Sequence, residues 1–300
     1  DPHGPLADTV AAARTADLAA AAEAAAAERP PGAAAPLYVV GTEVPPPGGQ
    51  SGSHSGPAAT RAVDAERTLA LTREAFARRG LERAWERVFA LVVQPGVEFG
   101  DDVVFRYPGK TRELSALAAA RGIVFEAHST DYQDEPALRA LVGDRFAVLK
   151  VGPELTFAFR EAVFALEAIE GELLGRAPER RSGVRQALDD AMRALPRHWK
   201  DWYTGADEDE LRLRRAFSLS DRCRYYWTSP GVQDALRRLH ANLEGRRIPR
   251  GLLSQHLPDA AASDEILPPE GLERGHVRRV LRRYARACRP GKALVSAARG

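Results

Sequence analysis

"GIVFEAHSTDYQ", residues 122–133, decides the fold. Its first half is short, apolar and β-branched, which marks a strand. The run is nearly continuous rather than alternating, the habit of a parallel strand covered on both faces. Then, within a few residues, it presents Glu126, His128, Asp131 and Tyr132. Those groups are either solvated loop residues or side chains that the strand delivers to a site.

Three more segments repeat the pattern: "PLYVVGTEV" (36–44), "RVFALVVQPG" (87–96) and "FAVLKVG" (146–152). Helical sequence separates them. An Ala-rich stretch carrying Asp, Arg and Glu precedes the first strand. From about Ala58 to Arg79, Ala62, Ala65, Leu69, Thr72 and Phe76 share one face, and Gly80 stops the helix. "KTRELSALAAAR" leads into the third strand. "DEPALRALV" is a short helix with Asp134 as N-cap and Pro136 in its first turn. After the fourth strand, Leu155, Phe159, Val163, Leu166, Ile169 and Leu173 form the stripe of a long helix ended by Gly175. Repeated β-then-α units predict an α/β fold, either doubly wound or a (β/α)8 barrel. No Gly-rich nucleotide fingerprint follows a strand. Beyond residue 176 the chain is helical, with segments near 184–195, 207–217, 231–243 and 276–288.

The chain has 300 residues, 44% hydrophobic and 28% charged, as ordinary globular domains have. Net charge is +2, which gives no electrostatic case for nucleic acid or an anionic membrane. No apolar run reaches the length of a membrane span. Cys223 and Cys288 form neither a metal-type spacing nor a disulfide framework, so a cytoplasmic setting is expected.

Every strand runs out into polar residues: Thr42 and Glu43, Gln94 and Glu98, Glu126 and His128, then Lys150, Glu154 and Thr156. In a parallel α/β fold these ends lie on one face, where such folds keep their sites. An imidazole there binds metal or moves protons near neutral pH, or is merely hydrogen-bonded structure. Glu126 shares its face, two residues away. Lys150 neutralises a phosphate, forms a Schiff base or pairs with a neighbouring carboxylate. Arg222, in "RCRYYW", contacts phosphate or a partner, unless that run is an aromatic cap packed on the sheet. The expected site is therefore Glu43, Glu126 and Asp131 as catalytic groups, with Gln94, Lys150, Thr156 and Arg222 on the substrate.

Six ordered blocks, "YVVGTEVPPPGG", "VVQPGVEF", "FEAHSTDYQ", "LKVGPELTFAFREAVFAL", "SLSDRCRYYW" and "NLEG" with "IPRGLLSQHLP", resemble the GatZ/KbaZ-like subunit family of class II D-tagatose-1,6-bisphosphate aldolase. The resemblance implies a (β/α)8 TIM barrel, of which only the C-terminal half, strands five to eight, falls in residues 1–175. A helical extension follows in 176–300. It implies a non-catalytic subunit that supports the activity and stability of a separate catalytic class II subunit. The complex cleaves its ketose bisphosphate to glycerone phosphate and glyceraldehyde 3-phosphate.

The resemblance also bears on zinc, which the catalytic enzymes hold with three histidines. His128 matches the seventh-strand ligand. Glu98 falls where the sixth-strand ligand belongs, with no His beside it. Glu43 matches a fifth-strand glutamate, and Thr156 stands near an acidic substrate-binding position. A third-strand Gly-Asp-His block is not in this sequence. Zinc or another divalent metal is thus expected in a full-length protein and not held firmly by these residues. The expected partners are the catalytic subunit and a sugar phosphate, with self-association through open barrel edges. Some proteins resembling the family are metal-dependent 4-epimerases of ketoses or their phosphates, which is the alternative function. A fragment without function is the third reading.

Overall fold

The computed structural model describes residues 7–30, 32–41, 56–109, 111–175, 177–203, 207–262 and 267–289. Helix α1 (Asp8–Ala27) leads to β1 (Tyr38–Val40). Next come α2 (Ala62–Arg78), α3 (Glu82–Trp85) and β2 (Val88–Val92). A small hairpin, β3 (Glu98–Phe99) and β4 (Val104–Phe105), precedes α4 (Arg112–Arg121) and β5 (Val124–Ala127). Then follow α5 (Glu135–Gly143), β6 (Phe146–Leu149) and α6 (Pro153–Leu174). The remainder is helical: α7 (Val184–Ala194), α8 (Glu208–Phe217), α9 (Pro230–Leu243), α10 (Arg250–His256), α11 (Pro258–Ala261) and α12 (Pro269–Ala287).

The main sheet is parallel, in the order β1-β2-β5-β6, so each strand lies beside the next one in the chain. The order never reverses, as it would at the crevice of a doubly wound sheet. Phe125 and Ala127 are sealed beneath the helices, while Glu126, on the opposite face, is only 4% exposed. That double burial is why the strand reads as a continuous run. The β5–β6 register shifts at Phe125/Glu126, so Glu126 pairs with Val148. Such irregularities redirect side chains, and this one falls beside the proposed site.

Local chemistry explains the element ends. Gly122 adopts a left-handed conformation, φ 66°, as the C-cap of α4, and Ile123 N–H donates back to Ala118 O. Asp134 caps α5 by accepting from Ala137 N–H at 2.9 Å, with Pro136 in the first turn. Helix α6 has Gly152 at its N-cap and so no side-chain cap of its own. Asp131 supplies one from the preceding strand loop: its Oδ1 accepts from the N–H groups of Gly152 (2.8 Å) and Glu154 (2.9 Å).

Two apolar clusters form. One joins Val40, Leu91, Phe125 and Phe146 of the strands to Phe76, Leu114, Leu138 and Leu141 of the covering helices. Val280, Tyr284 and Ala287 of α12 complete it from the far end of the sequence. The second joins Val163, Leu166 and Ile169 of α6 to Leu188, Met192, Tyr226 and Leu239. Helix α6 runs through both.

The structure corrects the sequence reading in three places. The last helix begins at Pro269 rather than near 276, because a proline suits a first turn. The segment 97–105 is a hairpin of two-residue strands, too short to leave a periodic signal. The first strand spans only Tyr38–Val40 among the described residues.

Candidate functional site

Strand β5 ends in a three-member polar cluster. Glu126 Oε1 lies 2.7 Å from His128 Nε2 and 2.9 Å from Lys150 Nζ. Parallel pairing of β5 with β6 creates it: Glu126 and His128 emerge from one strand end, and Lys150 follows the last residue of the next. Glu126 is buried, the His128 side chain is 15% exposed, and the Lys150 side chain is 56% exposed. A carboxylate held between an imidazole and an ammonium fixes the imidazole, and the half-exposed ammonium, with three donors, can meet an anion as well as its carboxylate.

The cluster lines an open pocket of about 390 Å³, with Val92 beside it, Tyr38–Gly41 along one side and Thr15, Leu18 and Ala19 of α1 opposite. That volume is at the lower end of small-molecule sites. A larger cavity, 810 Å³, opens where strands begin, near Val88 and Ile123, and its Glu66 and Arg121 pair with each other. Ligand crevices in parallel α/β folds lie at the other strand ends, so the smaller pocket is the candidate site.

The other expected residues have distinct places. Glu98 is fully buried in the β3 hairpin. Its Oε1 accepts from Phe99 N–H at 3.1 Å, while Oε2 has no hydrogen-bond partner. Burial pushes its pKa up against the hydrogen bonds of Phe99 and Ser129, and Asp131 nearby adds to the rise. It therefore sits next to the loop that leaves His128, outside the three-member cluster. Asp131 turns away to cap α6, and burial pushes its carboxyl up to about 6. Gln94 Oε1 accepts from Gly96 and Val97 N–H and so shapes the turn after β2. Thr156 donates to Asp221 Oδ2 at 2.5 Å. Arg222 is buried with its guanidinium 3.4 Å from the centre of the Trp202 ring. Glu43 lies outside the described residues.

Groups that local sequence does not reveal hold the loop after β5. Ser129 and Tyr132 adopt positive φ, 54° and 61°, which non-glycine residues adopt only when their surroundings enforce it. Tyr284 of α12 donates to Thr130 O at 2.7 Å. Tyr132 N–H donates to Glu154 Oε2 at 2.8 Å, and its hydroxyl to Leu219 O at 2.6 Å. Residues 218–221 are pinned in turn: Ser218 Oγ donates to Asp101 Oδ1 at 2.8 Å, and Asp221 meets Thr156 and Arg160. These partners lie 22 to 154 positions away, so no spacing rule finds them.

Among the described residues, no three His, Cys, Asp or Glu side chains gather where they could hold a metal ion. His128 and Glu126 are two donors, and the glutamate oxygen facing the histidine also faces the Lys150 ammonium. A catalytic zinc takes three protein ligands and an open position; the described residues do not fit it.

Comparison with known proteins agrees with this architecture. The family model described as D-tagatose-1,6-bisphosphate aldolase subunit GatZ/KbaZ-like matches residues 1–289. The D-tagatose-1,6-bisphosphate aldolase subunit GatZ of Klebsiella pneumoniae subsp. pneumoniae is 45% identical over 84% of this chain and 60% of its own length. The D-tagatose 6-phosphate 4-epimerase of Agrobacterium fabrum is 47% identical over 86% of this chain and again 60% of its own length. The crystal structure of a probable tagatose 6 phosphate kinase from Sinorhizobium meliloti 1021 superposes with a TM-score of 0.82 at 41% identity, covering 94% of this chain and 68% of that one. The chain thus spans about 60% of the length of the curated relatives it matches. Sequence blocks, parallel sheet and comparisons converge: this chain belongs to the GatZ/KbaZ-like family of D-tagatose-1,6-bisphosphate aldolase subunits.

Proposed function

We propose that this chain is part of a non-catalytic subunit of D-tagatose-1,6-bisphosphate aldolase, which binds and stabilises a separate catalytic class II subunit. The observation that carries this reading is the state of Glu126. Its Oε1 is engaged by His128 and Lys150 together. A carboxylate committed to an ammonium is a poor metal ligand, and Lys150 beside it is well placed for a phosphate. These residues suit holding a sugar phosphate rather than carrying a Lewis acid, so a firmly bound zinc is not part of the proposal. Sugar-phosphate chemistry and two free cysteines suit the cytoplasm. Among the described residues, no helix is long and apolar enough to cross a membrane.

We infer that the sheet is half of a (β/α)8 barrel. Support comes from four strands in chain order, all parallel, so that their C-terminal ends face one way. Among the described residues, strands β1 and β6 are the sheet's outer members and pair on one side only. Open edges of this kind demand covering, by the rest of a longer chain, by the partner subunit or by self-association.

A second reading, a 4-epimerase of ketose phosphates, is favoured by the 47% identity to the Agrobacterium protein and by the His128–Glu126 pair, which can move a proton. One assay separates the two. The full-length protein is given tagatose 1,6-bisphosphate, and separately tagatose 6-phosphate, with and without the catalytic subunit and zinc. The subunit reading expects cleavage to depend on adding the partner and no epimerisation by the protein alone. Epimerisation without the partner replaces it with the second reading.

A further inference from the structure

Two segments of the helical region build a cationic, aromatic surface that the pocket does not use. Residues 196–203 contribute Arg197, His198 and Trp202, and residues 222–227 contribute Arg222, Arg224 and Tyr225. His198 stacks on Tyr225 with ring centres 4.8 Å apart, and Arg197 donates Nε–H to His198 Nε2 at 2.9 Å. Arg224 lies 4.5 Å from the centre of the Tyr225 ring and donates to its hydroxyl at 3.0 Å. Tyr225 is 40% exposed, and Leu195, whose carbonyl accepts from the Tyr226 hydroxyl, is 46% exposed.

Cations outnumber carboxylates in these two segments: Arg197, Lys200, Arg222 and Arg224 against Asp201. Nearby, Arg214 pairs with Glu210 and Asp101, and Arg215 with Asp189 and Glu208. Arg197 and Arg224 have no such carboxylate among the described residues. Arg224 donates to the backbone oxygens of Ser220 and Asp221 and to the Tyr225 hydroxyl; Arg197 donates to His198. Neighbouring groups feel these cations, with burial the larger cause. His198 has a lowered pKa, from burial and from Arg197 and Arg222, and Arg222 has a lowered pKa from burial and from Arg224. A soluble surface does not need several cations pressed on exposed aromatic rings. An interface does: arginine, tyrosine and tryptophan dominate binding hot spots, and guanidiniums preset on ring faces lose little freedom on binding.

We propose that the surface of Leu195, Arg197, His198, Trp202, Arg224 and Tyr225 docks an acidic face of the catalytic aldolase subunit. This rests on the subunit reading above and adds where the partner sits and what charge it presents. The surface is tied to the strand ends: Asp221, next to Arg222, meets Thr156 and Arg160 at the start of α6.

The test measures association of the full-length protein with the catalytic subunit by titration calorimetry at two salt concentrations. Arg197→Glu and Tyr225→Ala change exposed side chains, so circular dichroism and melting should match the parent. Both variants are expected to bind at least about tenfold more weakly, and Arg197→Glu should also lower the salt dependence. Arg237→Glu, an exposed charge on α9 paired with Asp234, is expected to bind as the parent does. Parent-like affinity in both test variants overturns the surface and leaves the subunit reading standing. Failure of the parent itself to associate removes the subunit reading, and this surface with it.

Discussion

Asp221 Oδ1 lies 3.1 Å from Arg160 Nε, and neither side chain reaches solvent. Arg160 Nε and Nη2 make no well-aligned hydrogen bond, so the contact is held by charge, with the guanidinium 4.0 Å from the centre of the Phe157 ring. The pair joins the helical region to the start of α6. Arg160→Met alone strands a buried carboxylate and is expected to cost about 3–5 kcal/mol. Adding Asp221→Asn should recover a large part of that loss. Urea denaturation of the two singles and the double measures the coupling.

Asp131 makes stability depend on pH. Burial raises its pKa from 3.8 to about 6, against the backbone hydrogen bonds from Glu154 and Gly152. The folded chain therefore binds this proton more tightly than the unfolded one. Its contribution is full below about pH 4, declines as pH climbs to about 6 and is flat above, worth at most about 3 kcal/mol. Asp131→Asn keeps an oxygen for the two N–H groups and loses the titration. Denaturation midpoints collected from pH 4 to 7 should slope in the parent and flatten in the variant; equal slopes would refute the assignment.

Tyr284 secures the loop beyond His128 from the other end of the chain. Its hydroxyl donates to Thr130 O at 2.7 Å and lies 3.1 Å from Thr130 Oγ1. Tyr284→Phe leaves a buried carbonyl short of a donor and is expected to cost about 1–2 kcal/mol. Amide exchange should quicken across 128–132 more than in α9.

Gly41 is a matter of space. A Cβ there would stand 2.6 Å from Val92 Cβ, on a rigid neighbouring strand. Gly41→Ala should push the β1 end away from β2, at about 1–3 kcal/mol, and distort the pocket wall. Thermal melting and sugar-phosphate binding should both suffer.

Lys150→Met tests the pocket directly. It removes the exposed cation and keeps the stem. Affinity for tagatose 1,6-bisphosphate is expected to fall about tenfold with little change in melting temperature. Unchanged affinity would place the phosphate elsewhere.

Much of the α/β half was legible because its signals are local. Continuous apolar runs announced the parallel strands, Asp134 and Pro136 announced α5, and Gly175 closed α6. The Glu126–His128 pair was legible for the same reason, since two residues on one strand end share a face. What sequence withheld was long-range. Lys150 was named for phosphate or a carboxylate partner, but only the β5–β6 register shows that the carboxylate is Glu126. Asp131 was read as catalytic, and nothing near it in sequence tells that it caps a helix beginning at Pro153. The β3–β4 hairpin is too short for periodicity to reveal, so Glu98 was placed beyond the end of the second strand rather than in a short buried strand of its own.

Helix α12 sends Val280, Tyr284 and Ala287 into the same apolar cluster as strand residues beginning at Val40. During synthesis, the strand-bearing half therefore waits for some of the last described residues before its interior can close. The nascent chain must hold a partly uncovered sheet until the ribosome has delivered that helix. A premature stop before residue 277 would accordingly yield a product cleared by quality control rather than a shorter working version, although every strand of the sheet had been made.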